Sequence, residues 1–369
     1  MSSSVASALS YKAINRILPI LEKQILSAIK TNGFPGVAVA IASRDQVYYL
    51  KTFGVKRLGK EDKILPTTLF QIASISKPLS ATLLAILQKR GVLSFEDPIK
   101  RFLPEFQTHS TTKPLKICHI LSHSSGVPKE EFNDLIEASI PREVIMTRAQ
   151  EMPAIAEPGE NFSYHNALYG GIVEDVILQA TGKPFDQVLI ENLLNPLGMK
   201  NACVGLQVLL KSKNRAYPHV QNQEGWFAPT QSYSRKYYIF PSAAGVNASL
   251  QDLVSFLQLY LGKFPHIISK EHLHQLLIPS VEDTEAISWF GDKKGLIKDP
   301  LVGLGWKLMT YAKRKMGYHG GWLKGFRTFL GFLPDDDIGI IVLINSESMY
   351  PEQLALEFFD LYLNTFTQK

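Results

Sequence analysis

The apolar residues of this chain are spaced for a helix, then for strands, then again for helices, and finally for strands. In residues 12–31, Ile14, Ile17, Leu18, Leu21, Ile25, Leu26 and Ile29 fall at helical spacing, with Gly33 as the stop signal. Pro19 either kinks that helix or opens its main part. The unbroken run Gly36–Ala42 reads as a buried strand, and Val47–Leu50 after a turn completes a hairpin. Leu79, Leu83, Leu84 and Leu87 then form a helical stripe closed by Gly91 after Lys89 and Arg90. Helical readings continue at Asp97-Pro98, Leu115–His123, Asn166–Ala180 before Gly182, Pro184–Leu194 and Ser249–Leu261, the last opened by Ser249 and Asp252 as a capping box. Residues 127–155 and 211–240 follow no period and are expected to be loops. Beyond residue 300, Gly305–Tyr311 pairs through Lys313-Arg314-Lys315 with Met316–His319. Phe326–Phe332 turns at Pro334–Asp337 into Ile338–Ile344, and residues 351–366 form a last helix.

Strands at both ends with helices between imply an α+β fold, with one antiparallel sheet assembled from both ends of the chain. Residues 1–73 and 300–369 are expected to form the α/β part and residues 74–299 a mostly helical part, with the active site between them.

Composition narrows the function classes. A chain of 369 residues, 45% hydrophobic, buries a sizeable core, and its 20% charged residues are spread without a tail or run. The net charge of +5 is mild, and no Lys/Arg cluster alternates with aromatics, which argues against nucleic-acid binding. Cys118 and Cys203 have no metal or redox spacing and read as two buried free thiols, with a disulfide between them as the alternative. Ile17–Leu21 is interrupted by Pro19 and too short for a signal peptide, and no run approaches the roughly 18 apolar residues of a membrane span. The expected location is cytoplasmic as the sequence is written, and periplasmic if a leader has been removed.

Chemistry enters at Phe70–Lys77. Ser74 and Lys77 lie three residues apart where a helical pattern begins, which places them on one face about 5–6 Å apart at Cβ. The lysine can then take the serine's proton, and the helix N-terminus favours negative charge nearby. An ordinary helix cap accounts for the same serine. Ser110 and Lys113 repeat the spacing in a polar run ending at Pro114, where no apolar stripe follows. Tyr164 and Asn166, two residues apart after the turn Glu157–Glu160, can both face one cleft. His319-Gly320-Gly321-Trp322 ends an expected strand, where glycines admit a substrate backbone and the Trp322 N–H can serve an oxyanion.

With these segments in order, the chain resembles the class C β-lactamase family of serine hydrolases, which includes β-lactamases, D-alanyl-D-alanine carboxypeptidases and related esterases. Phe70–Lys77 is similar to its Ser-x-x-Lys motif, Leu121–Gly126 to its Leu-x-His-x-Ser-Gly segment, Pro158–Asn166 to its tyrosine loop, and His319–Gly321 to its third box. The resemblance implies a β-lactamase/transpeptidase-like fold and no cofactor or metal. By resemblance Ser74 attacks a carbonyl, and Lys77, kept partly deprotonated by its surroundings, takes or relays the proton. Tyr164 protonates the leaving group and activates the deacylating water, which it cannot do near pKa 10 unless Lys77 lies close. Asn166 holds Lys77 and the substrate amide, and the Ser74 and Trp322 N–H groups form the oxyanion hole. The identity of the acylation base is disputed among relatives of this group.

The third box departs from the Lys-Thr-Gly of the best cephalosporin hydrolases. His319 near its ordinary pKa is mostly neutral, which weakens the capture of an anionic β-lactam and leaves Arg327 or Lys324 as the candidate cations. His119 and His123 have zinc-like spacing but no third ligand, and His272 and His274 read as surface residues. Tyr362-Leu363-Asn364 repeats the Tyr-x-Asn spacing in the last helix, where Tyr362 is expected to pack. The leading reading is β-lactamase-type hydrolysis of a small-molecule amide through an acyl-enzyme. The alternatives are a carboxylesterase or D-amino-acid peptidase, and a non-catalytic penicillin-binding or scaffold protein.

Overall fold

The computed structural model describes residues 3–106, 111–129, 132–138, 140–230, 232–286 and 295–367. Ser110 of the second Ser-x-x-Lys match lies outside the described residues. Helix α1 (Ser3–Asn32) runs through Pro19 and ends before Gly33, whose φ of 66° is the left-handed stop expected of glycine. It leads into the hairpin of β1 (Gly36–Ala42) and β2 (Val47–Gly54), then β3 (Leu69–Gln71) and α2 (Ser76–Lys89).

The middle of the chain carries α3 (Ile117–Leu121), α4 (Asn133–Glu137), α5 (Arg142–Glu151), α6 (Asn166–Thr181) and α7 (Phe185–Leu189). β4 (Cys203–Val204), α8 (Leu206–Lys211), β5 (His219–Gln221), β6 (Phe227–Pro229), α9 (Pro241–Ala244), β7 (Val246–Ser249), α10 (Leu250–Tyr260) and α11 (Lys270–Leu276) follow. The chain closes with β8 (Val281–Glu282), β9 (Ile297–Val302), β10 (Lys307–Tyr311), β11 (Arg314–Leu323), β12 (Phe326–Leu333), β13 (Ile338–Ile344) and α12 (Tyr350–Thr367).

The main sheet is antiparallel, in the order β2-β1-β13-β12-β11-β10-β9-β8. Both ends of the chain build it, since β1 lies between its hairpin partner β2 and β13, with Val39 opposite Val342. Strand alternation explains why β1 is buried throughout. Val37, Val39 and Ile41 face α1 and α12, while Ala38, Ala40 and Ala42 face the second core with α2 and α10. Alanines on that face leave room for α10 to approach the sheet. The Ser249–Asp252 capping box is present, with Ser249 Oγ accepting the Asp252 N–H at 3.2 Å. Tyr362 packs in the core as expected.

Several expectations are corrected. Residues 127–155 contain α4 and α5 rather than loop alone. Residues 211–240 hold the β5–β6 hairpin, whose neighbour Tyr233 is buried and stacks on Phe326. Lys313 does turn β10 into β11, but Arg314 and Lys315 already pair with Tyr311 and Thr310. The sheet also reaches back before residue 300, through β8 and β9. Cys118 and Cys203 are free but only half-buried. No described helix is long and apolar enough to cross a membrane.

Candidate active site

A small sheet in the order β3-β7-β4 delivers Ser74 to the cleft. Phe70 of β3 pairs with Ala248 of β7, and the chain then bends at Ala73, whose φ of 52° is left-handed. A bend of this kind costs an alanine about 1–2 kcal/mol and persists where its surroundings fix it. Thr328 Oγ1 of β12 donates to the Ile72 carbonyl at 3.1 Å, and the Ser76 hydroxyl accepts the Val246 N–H at 3.0 Å. Ser74 therefore occupies a 3₁₀ turn at residues 73–75 rather than the first helical turn, and the turn continues into α2. The three-residue spacing still brings Lys77 to the serine.

Lys77 is 0% exposed, and its ammonium position is set by three oxygens. Nζ lies 3.2 Å from Ser74 Oγ, 2.7 Å from Asn166 Oδ1 and 3.1 Å from the Ala243 carbonyl. The Tyr164 hydroxyl is 2.9 Å from Ser74 Oγ, and the Lys77 Nζ sits 4.7 Å from the centre of the Tyr164 ring. Asn166 opens α6 behind its cap, His165, whose Nδ1 accepts the Leu168 N–H at 3.3 Å. Ser74, Lys77, Tyr164 and Asn166 thus meet as the sequence suggested.

The third box lies across the cleft, within β11 rather than at its end. A Cβ on Gly321 would come within 2.3 Å of the Ile72 carbonyl, so this strand and the Ser74 turn touch backbone to backbone. Trp322 follows, 56% exposed, its side chain on the same face of the strand as Gly320 and away from the Ser74 turn. His319 is buried, and its Nδ1 lies 2.7 Å from the Gly320 carbonyl, which can only accept, so the ring proton sits on Nδ1. Burial first, then the Lys77 charge, pushes His319 down to about 3, and it is neutral at any working pH.

Neither cation named from the sequence stands ready for a substrate carboxylate in this wall. Arg327 Nε donates to Glu352 Oε1 at 2.7 Å with both groups buried, and its guanidinium lies 5.0 Å from the centre of the Trp322 ring. Lys324 is exposed in the turn after β11. A further lysine near His319, Lys307, donates to the buried Asp283 at 2.6 Å. Among the described residues no group of three or more His, Cys, Asp or Glu side chains is placed to hold a metal. His119 instead spends its Nδ1 on the Lys116 N–H.

Two participants escaped the sequence. The Ala243 carbonyl has no signature, because any residue offers one. Tyr169, whose hydroxyl donates to the Lys77 carbonyl at 2.9 Å, follows Asn166 by three residues on α6, and that spacing marks the shared face.

The description Beta-lactamase fits residues 21–361 as a family model. The D-alanyl-D-alanine-carboxypeptidase/endopeptidase AmpH of Escherichia coli (strain K12) is 23% identical over 364 residues, covering 93% of this chain and 90% of the relative. The octameric penicillin-binding protein homologue from Pyrococcus abyssi superposes with a TM-score of 0.82 at 24% identity, over 94% of this chain and 77% of that one. EstCE1, a hydrolase with promiscuous acyltransferase activity, gives a TM-score of 0.74 at 18% identity, over 91% and 94%. These likenesses establish the β-lactamase/transpeptidase-like fold.

Proposed function

Since the chain belongs to the Beta-lactamase family, whose members are serine hydrolases, we propose that it hydrolyses acyl compounds through an acyl-enzyme on Ser74 and prefers uncharged esters or amides to anionic β-lactams. One observation carries this reading: a single hydroxyl, Ser74 Oγ, has both Lys77 Nζ and Tyr164 OH within hydrogen-bond reach, at 3.2 and 2.9 Å. To act as the base Lys77 must first be deprotonated, and it can then donate to Asn166 Oδ1 and the Ala243 carbonyl while its lone pair faces Ser74. The Lys77–Tyr164 pair then takes the serine proton as Oγ bonds to the substrate carbonyl carbon. The bond to the leaving group breaks, and Tyr164 returns that proton to the departing atom. Water adds to the acyl-enzyme by the same route, giving up a proton to the pair, and as the ester to Ser74 breaks to release the acid the pair returns that proton to Ser74 Oγ. The N–H groups of Ser74 and Trp322 steady the oxyanion in both halves.

The preference for uncharged substrates rests on the wall opposite Ser74. His319 is neutral, while Arg327 and Lys307 are engaged by Glu352 and Asp283. This reading reverses the order of preference drawn from the motifs, which put β-lactams first. The named activity of AmpH keeps a D-amino-acid peptidase as the second reading.

Intact-protein mass spectrometry with a slowly turned-over β-lactam tests the nucleophile: an adduct is expected on the wild type and none on Ser74→Ala. An adduct of equal yield on Ser74→Ala removes the assignment. Turnover of p-nitrophenyl butyrate above that of nitrocefin is expected, and the reverse order overturns the substrate preference.

A further inference from the structure

His123 belongs to the Leu121–Gly126 segment, to which the chemistry above gives no task. It is 6% exposed and holds a left-handed backbone, with a φ of 53°. A conformation of this kind in a bulky residue persists only where the surroundings over-determine it. Its contacts converge on one target. The His123 carbonyl accepts the Ser163 N–H at 2.7 Å, and its Nδ1 accepts the His165 N–H at 3.2 Å. Its ring stacks on that of Tyr164, with centroids 4.3 Å apart and planes at 29°. The residues before and after the tyrosine, and the tyrosine itself, are thus held by one histidine. The same ring also stacks on Tyr169 at 5.2 Å, and the Tyr169 hydroxyl reaches the Lys77 carbonyl.

We propose that His123 is a positioning residue for Tyr164, clamping the chain on both sides of the tyrosine and referencing its ring, through Tyr169, to the backbone of Lys77. The proposal rests on the reading of Tyr164 as the proton carrier for Ser74. A backbone N–H can only donate, so Nδ1 carries the lone pair and the neutral ring carries its proton on Nε2. Among the described residues Nε2 has no acceptor, and His123 lines a small cavity with Tyr164, Lys307 and His319. Protonating Nδ1 would set two N–H donors against each other. Burial opposes that charge first, and the groups facing the ring (Lys77, His319, Lys307 and His165) supply no anion to favour it. The clamp therefore persists through the working pH range. Its worth to catalysis is the precision of the 2.9 Å contact between Tyr164 and Ser74, where a displacement of about 1 Å costs on the order of a hundredfold in rate.

Nitrogen NMR of the histidine-labelled wild type, assigned with His123→Asn, reads the clamp directly. A neutral, Nε2-protonated ring is expected from about pH 5 to 8. Titration within that range, or a proton on Nδ1, overturns the proposal whatever the variants do. Kinetics separate positioning from mere folding. His123→Asn tolerates the left-handed backbone but lacks the ring, and His123→Phe keeps a ring but lacks the acceptor. In both, kcat for p-nitrophenyl butyrate, counted per site that acylates, is expected to fall roughly tenfold to a hundredfold, with KM within about threefold. The basic limb of the pH–rate profile is expected to shift as well. Unchanged kcat per acylating site in both variants refutes the positioning role, and it leaves the hydrolase reading intact if Ser74→Ala still takes no adduct.

Discussion

Replacing Gly321 by alanine probes the seam between the sheet and the Ser74 turn. The new Cβ would stand 2.3 Å from the Ile72 carbonyl, 2.3 Å from Thr328 Oγ1 and 3.0 Å from Ala73 Cβ. Ordinary contact begins at 3.4 Å, so strand and turn must part by about 1.1 Å, the difference between 3.4 and 2.3 Å. The Trp322 N–H moves with the strand, while Ser74 stays with the turn. A shift of that size costs on the order of a hundredfold, and complete loss of an oxyanion donor about a hundred- to a thousandfold. Gly321→Ala is therefore expected to lose roughly 10²–10³ in kcat, and about 1–3 kcal/mol in stability from overpacking. Gly320→Ala is the control, since its Cβ would face Glu352 Oε1 at 3.3 Å and the Thr328 carbonyl at 3.8 Å, away from the turn. It should retain kcat within about threefold, because a few tenths of an ångström relieve that contact. Neither glycine has a positive φ, so backbone strain does not confuse the comparison. The assay is p-nitrophenyl butyrate turnover, normalised to the fraction that acylates, with urea denaturation alongside. A Gly321→Ala enzyme keeping more than about a third of wild-type kcat, or equal losses at both positions, refutes the reasoning.

Asn166→Ala removes the 2.7 Å acceptor of Lys77 and leaves a buried N–H unsatisfied, which costs about 1–3 kcal/mol. Acylation measured by stopped flow should slow roughly tenfold to a hundredfold, and an unchanged rate would deny Asn166 its role. Glu352→Gln strands the Arg327 charge and should lower urea stability by about 3–5 kcal/mol, whereas Arg327→Met with Glu352→Leu should recover most of that loss. A single variant as stable as the wild type contradicts this account. Burial raises Glu174 from 4.5 to about 7, so between those values the native state keeps a proton that the unfolded chain has released. Its contribution to stability therefore falls as pH rises through that window and is flat above it. Glu174→Gln should remove this slope in denaturation midpoints taken at about pH 5 and 8, and an identical slope in both proteins rules the group out.

The parts of the fold legible in the sequence are those whose residues face one environment repeatedly. Val37, Val39 and Ile41 alternate with small alanines, α6 runs to a glycine stop at Gly182, and Ser249 with Asp252 announces α10. Strand β9 escaped because Asp299-Pro300 reads as a turn. Asp299 is indeed left-handed, with a φ of 51°, and the register with β10 slips between Leu308 and Thr310, but the ladder continues past the bulge. Helix α5 escaped because Arg142, Glu143, Arg148 and Glu151 break its apolar stripe, and Arg142 reaches across to Asp175 at 2.6 Å. In the candidate site, Ser74, Lys77, Tyr164 and Asn166 announce themselves by spacing and residue type. The state of Arg327 does not, because its partner Glu352 stands 25 residues away and no local pattern joins them. The same holds for His123, whose value lies in where its carbonyl and Nδ1 point.

The pairing of β1 with β13 has a consequence for how activity arises during synthesis. Ser74 and Lys77 leave the ribosome well before the strand that presses Gly321 against Ile72. Contacts this distant in sequence are slow to form, because a long loop must close before they are rewarded. A nascent chain therefore carries its serine and lysine for a time without the opposite wall of the site. The proposed hydrolysis would become possible only after the chain has come back on itself, which would make catalytic activity a late report that the whole sheet has closed.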